Sequence, residues 1–351
     1  MASVLRFAAP RTVEVVDLPT ARLQPGEVRV RTLYSGISAG TEMTAYRGTN
    51  PYLTSEWDPE LRLFRGADDQ RPAAYPLDGW GYSEVGEVVE VATLADGTIP
   101  QDAPATGDLV WGIWGHRAEG VLPIEKLAGH TLPTGLDPLA GSFARVGAIA
   151  LNAVLAADLG VGSTVVVFGQ GVIGLIATRL AVLNGATVIA VDGIAARRAA
   201  AANWGAAHVL EPGDQLAYTI RELTGGLGTD VAIELSGNYH ALHSAMRAVG
   251  ADGTVVASGF YQGDATPLRL GEEFHHNRIQ LIASQIGSVP NRLRARWDVP
   301  RLQRTVLDVL ADGRLDATSL VTHRFGIDDA AQAYELLDTD PSAALQIVLE
   351  F

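Results

Sequence analysis

The sequence predicts an α/β fold in which a doubly wound parallel sheet is inserted into a discontinuous β-rich domain. Three observations predict it. A strand–turn–helix–strand unit runs through TVVVFGQGVIGLIATRLAVLNGATVIAVD, Thr164 to Asp192. Downstream of it, β-branched runs alternate with helix-spaced segments, and short turn-bounded strand patterns occupy the two ends of the chain.

In the central unit, Val165 to Val167 form an apolar β-branched run that enters a glycine turn at Gly169, Gly171 and Gly174. Helical spacing follows at Ile173, Ile176, Leu180 and Leu183; Gly185 stands where a helix stops, and a second strand, Thr187 to Val191, ends at Asp192. An acid about 20 residues beyond the first glycine completes the dinucleotide fingerprint. Gly169 permits the tight turn, Gly171 lets backbone N–H groups approach a pyrophosphate, and Gly174 lets the helix pack on its strand. Gln170, Val172 and Ile173 belong to the same cradle, with Ile173 expected to press on the nicotinamide face. Asp192 is expected to accept hydrogen bonds from the adenosine ribose and to repel a 2′-phosphate, which selects NAD(H) over NADP(H). Arg197 and Arg198 follow it; they are read as an exposed helix start covering the adenine, with contact to a 2′-phosphate as the alternative.

Composition narrows the function classes. At 351 residues the chain is long enough for two domains and a large core. A hydrophobic content of 47% and a mean hydropathy of +0.14 describe a well-buried protein rather than a disordered one. A net charge of -14 and a pI near 5.0 argue against nucleic acid or an anionic membrane as partner, so a small-molecule substrate is expected. The absence of cysteine excludes disulfides and every thiolate metal site. The opening MASVLRFAAPRTVEVVDLP has no apolar signal core, and no run of about 18 apolar residues occurs, so a cytoplasmic protein is expected.

Taken in order, Leu5 to Phe7 and Thr12 to Val16 read as strands joined by a Pro10 turn, and Glu27 to Leu33 as a third. Tyr34 to Gly48 reads as a glycine-punctuated loop running into a short helix at Glu42 to Tyr46. Thr49 to Pro76 is polar and proline-spaced, and is read either as a lid or subunit contact or as a plain surface excursion. Strand patterns return at Gly86 to Val91, Thr106 to Trp114 and Gly120 to Ile124, suggesting a small barrel. From Ser142 a helix shows Phe143, Val146, Ile149, Ala150, Ala153 and Val154 on one face and ends at Gly160. Beyond Asp192 come helices at Ala195 to Trp204, Asp214 to Thr224 and His240 to Val249, alternating with strands at His208 to Leu210, Val231 to Leu235, Thr254 to Ser258 and Gln280 to Ser284. Ser236, Gly237, Gly259, Phe260, Ser284 and Gln285 stand at or just past strand ends, where a dinucleotide crosses such a sheet. A helix at Leu302 to Ala311 and a strand at Val321 to Phe325 close the pattern. The β-rich domain is thus assigned residues 1–145 and 287–351, and the dinucleotide domain residues 146–286.

GIS at Gly36 to Ser38, GxxxxG at Gly81 to Gly86, TGDLV at Thr106 to Val110 and VVVFGQGVIG, in that order, resemble the medium-chain dehydrogenase/reductase superfamily over essentially the whole chain. Within it, FHHNRIQLIASQIGSVPNRLRARWD, Phe274 to Asp298, looks like a cysteine-poor branch of zinc-type alcohol and polyol dehydrogenases near the bacteriochlorophyllide dehydrogenases. The resemblance implies a Rossmann sheet inserted into a GroES-like partial barrel, a nicotinamide-dependent oxidoreductase, and an oligomer, a homodimer being expected and a tetramer the alternative; the sheet edge after Thr254 to Ser258 is the expected pairing site, since an uncovered strand needs a partner.

The departures from that pattern bear on mechanism. Zinc-dependent members place a Cys in the GIC loop, a His-Glu pair after the first glycine of GxxxxG, and a Cys or Asp at the start of the linking helix. Here those positions hold Ser38, Tyr82 with Ser83, and Ala144, which cannot replace thiolate and imidazole ligands, so no zinc is expected. His275 and His276, on a segment read as extended, would face opposite ways and make no metal pair.

Without a Lewis acid, an alcohol/carbonyl pair needs side chains to handle the proton and the oxygen charge. Tyr82 is read as proton donor or relay, or else as a core tyrosine. Ser38 and Ser83 are read as hydrogen-bonding the substrate oxygen. Arg145 is read as stabilising an oxyanion or lowering the tyrosine pKa, with a salt bridge to Glu42 as the alternative. Tyr46, Trp57, Trp114, Arg296 and Trp297 are candidates for the substrate pocket, although packing is the commoner role for Trp297. The expected reaction is NAD(H)-dependent interconversion of a secondary alcohol, of sugar, cyclitol or polyol type, and a ketone. Reduction of an activated C=C bond, as by enoyl and quinone reductases, is the alternative, and a non-catalytic dinucleotide-binding protein the third reading.

Overall fold

The computed structural model describes residues 1–65 and 75–351. It divides into two compact units, one formed by Met1–Arg145 with Asp316–Phe351 and the other by Val146–Leu315.

The second unit is built on a six-stranded sheet in which every pairing is parallel, in the order His208–Leu210, Thr187–Val191, Thr164–Phe168, Thr229–Glu234, Val249–Ala257, Gln280–Ala283. Strand order reverses at Thr164–Phe168, so the carboxyl ends of that strand and its neighbours open a crevice there. Val165, Val166 and Val167 are all fully buried, as in a parallel strand covered on both faces. One core lies between the sheet and its helices, with Val166, Ile189, Ala232, Leu242, Met246 and Val255 at its centre. Val249–Ala257 starts five residues before the expected Thr254, because the helix Tyr239–Ala248 passes directly into strand, with Val249 already paired to Thr229 ahead of an irregularity in the ladder.

The unit continues to Leu315, whereas the sequence pattern places the return to the first domain at residue 287 and gives the helix at Leu302 to Ala311 to that domain. Packing explains the difference. The helix Val299–Ala311 buries Leu302, Val306, Leu307, Val309 and Leu310. Val306 lies against Gly147, where a Cβ would come within 2.4 Å of it. Asn152 also donates to the Ser288 carbonyl at 3.1 Å, tying the segment after the sheet to the helix before it.

The first unit contains a mixed sheet in the order Val321–Gly326, Gln346–Glu350, Glu27–Ile37, Glu84–Val91, Leu109–Gly112, with Glu119–Pro123 also paired to Glu27–Ile37. A three-stranded sheet joins Thr12–Leu18, Ala2–Ala9 and Leu77–Asp78. Phe7, Met43, Tyr46, Tyr334 and Ile347 form one core; Val28, Val30, Val88, Val110 and Trp114 form another. Glu27–Ile37 runs through Tyr34 to Ile37, part of the expected loop, and the helix Glu42–Arg47 ends on Gly48 at φ 80°. The helix Ala330–Thr339 and the strand Gln346–Glu350 lie beyond the last element that the sequence pattern predicts.

The segment Thr49 to Pro76 is more regular than its composition suggests. It holds the short helical turn Pro51–Leu53 and a hairpin of Glu56–Asp58 with Leu63–Arg65, whose Phe64 ring meets Tyr52 and Trp57 edge-on. Residues 66–74 of it lie outside the described residues. Among the described residues, no helix is long and apolar enough to cross a membrane.

Candidate active site and cofactor cradle

At the carboxyl end of Thr164–Phe168, Gly169 adopts φ 83°, and a Cβ there would stand 2.8 Å from the Ser236 nitrogen. Gly174 packs so closely that a Cβ would lie 1.8 Å from the Gly169 carbonyl oxygen. Gly171 differs: it opens the helix Val172–Leu183 with no side-chain cap, and nothing lies within 4 Å of its would-be Cβ. The helix therefore presents unsatisfied N–H groups and its positive end beside a glycine that admits close approach. A cavity of about 850 Å3, lined by Gly169, Asp192, Gly193, Pro212 and Ser236 among others, continues from this turn. These features fit a dinucleotide, with the pyrophosphate at Gly171.

Asp192 is set by two backbone donors, Gln170 N–H to Oδ2 at 2.7 Å and Ile194 N–H to Oδ1 at 2.8 Å. One carboxylate thus joins the glycine turn to the next strand end. The Gln170 side chain turns inward, donating to the Val167 carbonyl and accepting from Thr178, so only its backbone belongs to the cradle. Arg198 donates to the Asp192 carbonyl and pairs with Glu211. Arg197, Val172 and Ile173 flank the same turn, the last two half-buried.

Glu234, unremarked in the sequence, organises the next strand end. Its fully buried carboxylate accepts from the Ser236 N–H at 2.8 Å, the Gly237 N–H at 3.2 Å, the Ser236 hydroxyl and the Tyr261 phenol. Burial raises its pKa against those donors. The Tyr261 phenol is held far above its ordinary range, by burial first and then by the Glu234 charge. Gly237 and Gly259 are pressed together: a Cβ on Gly259 would lie 2.3 Å from the Gly237 nitrogen, and one on Gly237 2.9 Å from the Phe260 carbonyl. The signal was an acid ending the apolar run of Val231 to Ile233, two residues before Ser236. Ser284 is buried next to this edge, while the Gln285 side chain accepts from Gly287 N–H in a local turn.

In the first unit, the Ser38 hydroxyl and the Tyr82 phenol share a short hydrogen bond, although 44 residues separate them. Burial raises the Tyr82 pKa; hydrogen bonds from Ser38 and Thr41 and the Arg145 charge pull it down without cancelling that rise. At neutral pH the phenol keeps its proton. Burial lowers the Arg145 pKa, and Tyr82 opposes that shift. Ser83 is buried with its Oγ lacking a hydrogen-bond partner among the described residues.

Beneath this pair lies a group of residues that sequence spacing did not connect. Glu42 makes no ion pair with Arg145; its Oε2 meets His116 Nε2 at 2.6 Å and accepts from Tyr334 at 2.6 Å. His116 Nδ1 lies 2.5 Å from the Ser35 hydroxyl, which donates to Glu84 at 3.0 Å. All five residues are fully buried.

Two expected pocket residues are core residues instead. Tyr46 packs between Phe7 and Tyr334, and the Trp114 indole donates to Thr32 at 2.9 Å inside the second core, because both sit on apolar faces that the strands cover. Trp57 lies on the hairpin. Arg296 is exposed, and Trp297 is half-buried with the Arg301 guanidinium 4.5 Å from its ring centre.

At the positions that the sequence pattern expects for zinc ligands, Ser38 is bonded to Tyr82, Ser83 is buried and Ala144 offers a methyl, a set with no thiolate, imidazole or carboxylate to fit zinc. Among the described residues, no three His, Cys, Asp or Glu side chains are grouped to hold a metal ion. His275 and His276 lie on a helical turn rather than an extended segment, and their rings stand at 81° to each other.

Residues 172–300 match the family described as zinc-binding dehydrogenase. The chain is 30% identical over 350 residues to D-guloside 3-dehydrogenase of Escherichia coli K12, covering 98% of each chain. Its fold matches a zinc-binding dehydrogenase from Sinorhizobium meliloti 1021 bound to NADP (TM-score 0.76, 21% identity, 100% and 99% of the two chains). It also matches a protein from E. coli CFT073 described as a short chain alcohol dehydrogenase and complexed with cofactor NADH (TM-score 0.78, 18% identity, 100% and 99%). Fold, glycine cradle and full-length kinship converge: the chain belongs to the medium-chain dehydrogenase/reductase superfamily of oxidoreductases.

Proposed function

We propose that this enzyme is an NAD(H)-dependent, zinc-independent dehydrogenase that interconverts a secondary alcohol of a polyhydroxylated substrate, of sugar, cyclitol or polyol type, with its ketone. The hydrogen-bonded Ser38–Tyr82 hydroxyl pair, standing where relatives place metal ligands, carries the reading. Asp192, fixed by two backbone donors at the second strand end, supports NAD(H). The name of the E. coli relative, a glycoside 3-dehydrogenase by its wording, supports the substrate class.

The glycine cradle at Gly169, Gly171 and Gly174 would hold the pyrophosphate of NAD(H), which would supply the hydride acceptor or donor. The remaining chemistry falls to the chain. Tyr82, kept protonated by burial, donates its proton to the carbonyl oxygen during reduction and is resupplied through the Ser38 hydroxyl. In oxidation the relay runs the other way: Tyr82 releases its own proton through the Ser38 hydroxyl to solvent as it accepts the alcohol proton, so the phenol is protonated before and after. Arg145 offsets the negative charge that passes through the phenol, and the Ser83 hydroxyl, without a partner among the described residues, is a further donor for the substrate oxygen.

The test is a screen of sugars, cyclitols and polyols with NAD, alongside enones and quinones with NADH. Tyr82→Phe should lower kcat by about 10²- to 10⁴-fold, the range for a positioned general acid. Wild-type turnover in that variant, or loss of activity on exhaustive chelation restored by zinc, would remove the mechanism. The family resemblance also supports a homodimer, and the outer strand Gln280–Ala283, an open edge of the sheet, supports pairing there.

A further inference from the structure

The group beneath the hydroxyl pair has a cost that invites explanation. Two carboxylates and an imidazole are fully buried inside the first unit, and burying charge is unfavourable unless each group is paired and hydrogen-bonded. Here each is. One consistent set of donors runs through the group: His116 Nε2–H to Glu42, His116 Nδ1–H to the Ser35 oxygen, the Ser35 hydroxyl to Glu84, and the Tyr334 phenol to Glu42. This set requires His116 to carry both protons. Burial disfavours the imidazolium, but Glu42 and Glu84 outweigh it and raise the His116 pKa.

The free ends of the two carboxylates show what the group holds. Glu42 Oε1 accepts the Ser38 backbone N–H at 2.9 Å. Glu84 Oε1 accepts the Ser83 N–H at 3.2 Å, and Glu84 Oε2 accepts the Trp114 N–H at 2.8 Å. Ser38 and Ser83 sit on different loops, with Tyr82 next to Ser83. Gly81 adopts φ 127°, and a Cβ there would stand 2.7 Å from Glu84 and 2.9 Å from His116, so the Tyr82 loop closes directly over the group. The β-ladder supplies the remaining constraint, with Ser35 directly opposite Glu84.

We infer that Glu42, His116, Ser35 and Glu84 form a positioning bridge that fixes the Ser38 and Tyr82–Ser83 loops relative to each other, so that their hydroxyls keep hydrogen-bond contact for proton transfer. The bridge carries no proton to the substrate, because among the described residues its links to Ser38 are backbone hydrogen bonds, the Ser38 N–H to the Glu42 carboxylate and the Glu42 N–H to the Ser38 carbonyl. This inference rests on the proposed role of Tyr82, and it acts through that residue rather than on substrate.

The test uses the full-length protein with two readouts. Hydrogen–deuterium exchange is compared between wild type, Glu42→Gln and Ser35→Ala; the second removes a single hydroxyl and serves if the first folds poorly. Exchange should quicken about tenfold or more in segments 35–42 and 81–86, while the glycine cradle at 169–174 keeps its wild-type rate. In steady-state kinetics kcat should fall by about tenfold or more, with the NADH dissociation constant unchanged, because misplacing a reacting group by about 1 Å is enough for such a loss. Glu42→Gln combined with Tyr82→Phe should lose little more than Tyr82→Phe alone. Unchanged exchange in both segments overturns the bridge, as does faster exchange spread evenly over the chain, the mark of general destabilisation. Local loosening with wild-type kcat overturns its link to the reaction. A Tyr82→Phe variant with full turnover, beside local loosening, instead refutes the proposed mechanism and with it the functional meaning of the bridge.

Discussion

Replacing Asp192 by Asn separates two roles of one carboxylate. Asp192 accepts from the Gln170 and Ile194 N–H groups, one on each oxygen. An amide has one acceptor oxygen, so one of those bonds is lost, at about 1–3 kcal/mol. That loss loosens the glycine turn for either cofactor and cancels from a ratio of affinities. The charge does not cancel. A carboxylate about 5 Å from a 2′-phosphate of charge about -1.5 to -2 is repelled by about 1.5 kcal/mol in bulk water and about 6 kcal/mol at an effective dielectric of 20. Asp192 lines an open cavity, which places the term near the lower end, at about 2–3 kcal/mol. The ratio of NADPH to NADH dissociation constants, from fluorescence titration, should therefore fall about 30- to 150-fold in Asp192→Asn. A change of less than about threefold, below roughly 0.7 kcal/mol, would refute the assignment of Asp192 as the discriminating charge.

The two glycines of the cradle should respond differently to alanine. Gly171→Ala, with nothing within 4 Å of the new methyl, should keep the wild-type melting temperature yet lose NADH binding, whereas Gly174→Ala, whose methyl would meet the Gly169 carbonyl, should lose both; equal behaviour of the two in calorimetry and titration would contradict this. Tyr261→Phe removes a donor from the buried Glu234 carboxylate, about 1.5–3 kcal/mol, and should lower Tm by about 3–10 °C in differential scanning calorimetry. The raised His116 pKa, with Glu42, Glu84 and the Tyr334 phenol facing it, means that folding takes up a proton there. Its stabilisation is complete below the unfolded value of 6.5 and is lost as pH rises through the folded value. Tm should thus fall on the alkaline side of 6.5, and more steeply in wild type than in His116→Gln; parallel profiles would count against a protonated His116.

The second unit was legible because its signals are local. Val165 to Val167 are buried on both faces and so read as one apolar run, and the spacing from Gly169 to Asp192 follows from a single strand–helix–strand passage. The boundary at Leu315 was not legible, since an amphipathic helix such as Val299–Ala311 shows that it has an apolar face but not which partner covers it. The same limit hid the buried bridge. Glu42, Glu84, His116 and Tyr334 meet only through the antiparallel register that sets Ser35 opposite Glu84 and through a C-terminal helix that went unnoticed. Two hints stood in the sequence: a glutamate opening the strand Glu84–Val91, and a histidine directly after an aromatic, glycine-rich strand end at Trp114 and Gly115. Tyr46 and Trp114 misled for the opposite reason, since aromatic side chains near a glycine loop fill cores as readily as pockets.

The strand Gln346–Glu350 lies inside the first unit's sheet, between Val321–Gly326 and Glu27–Ile37, with Leu349 opposite Ser35. In synthesis, therefore, Glu27–Ile37 is made well before the strand that covers this edge, and the sheet can be completed only after the second unit has been made. Until then that edge of Glu27–Ile37 lacks its native partner and presents unpaired backbone N–H and C=O groups.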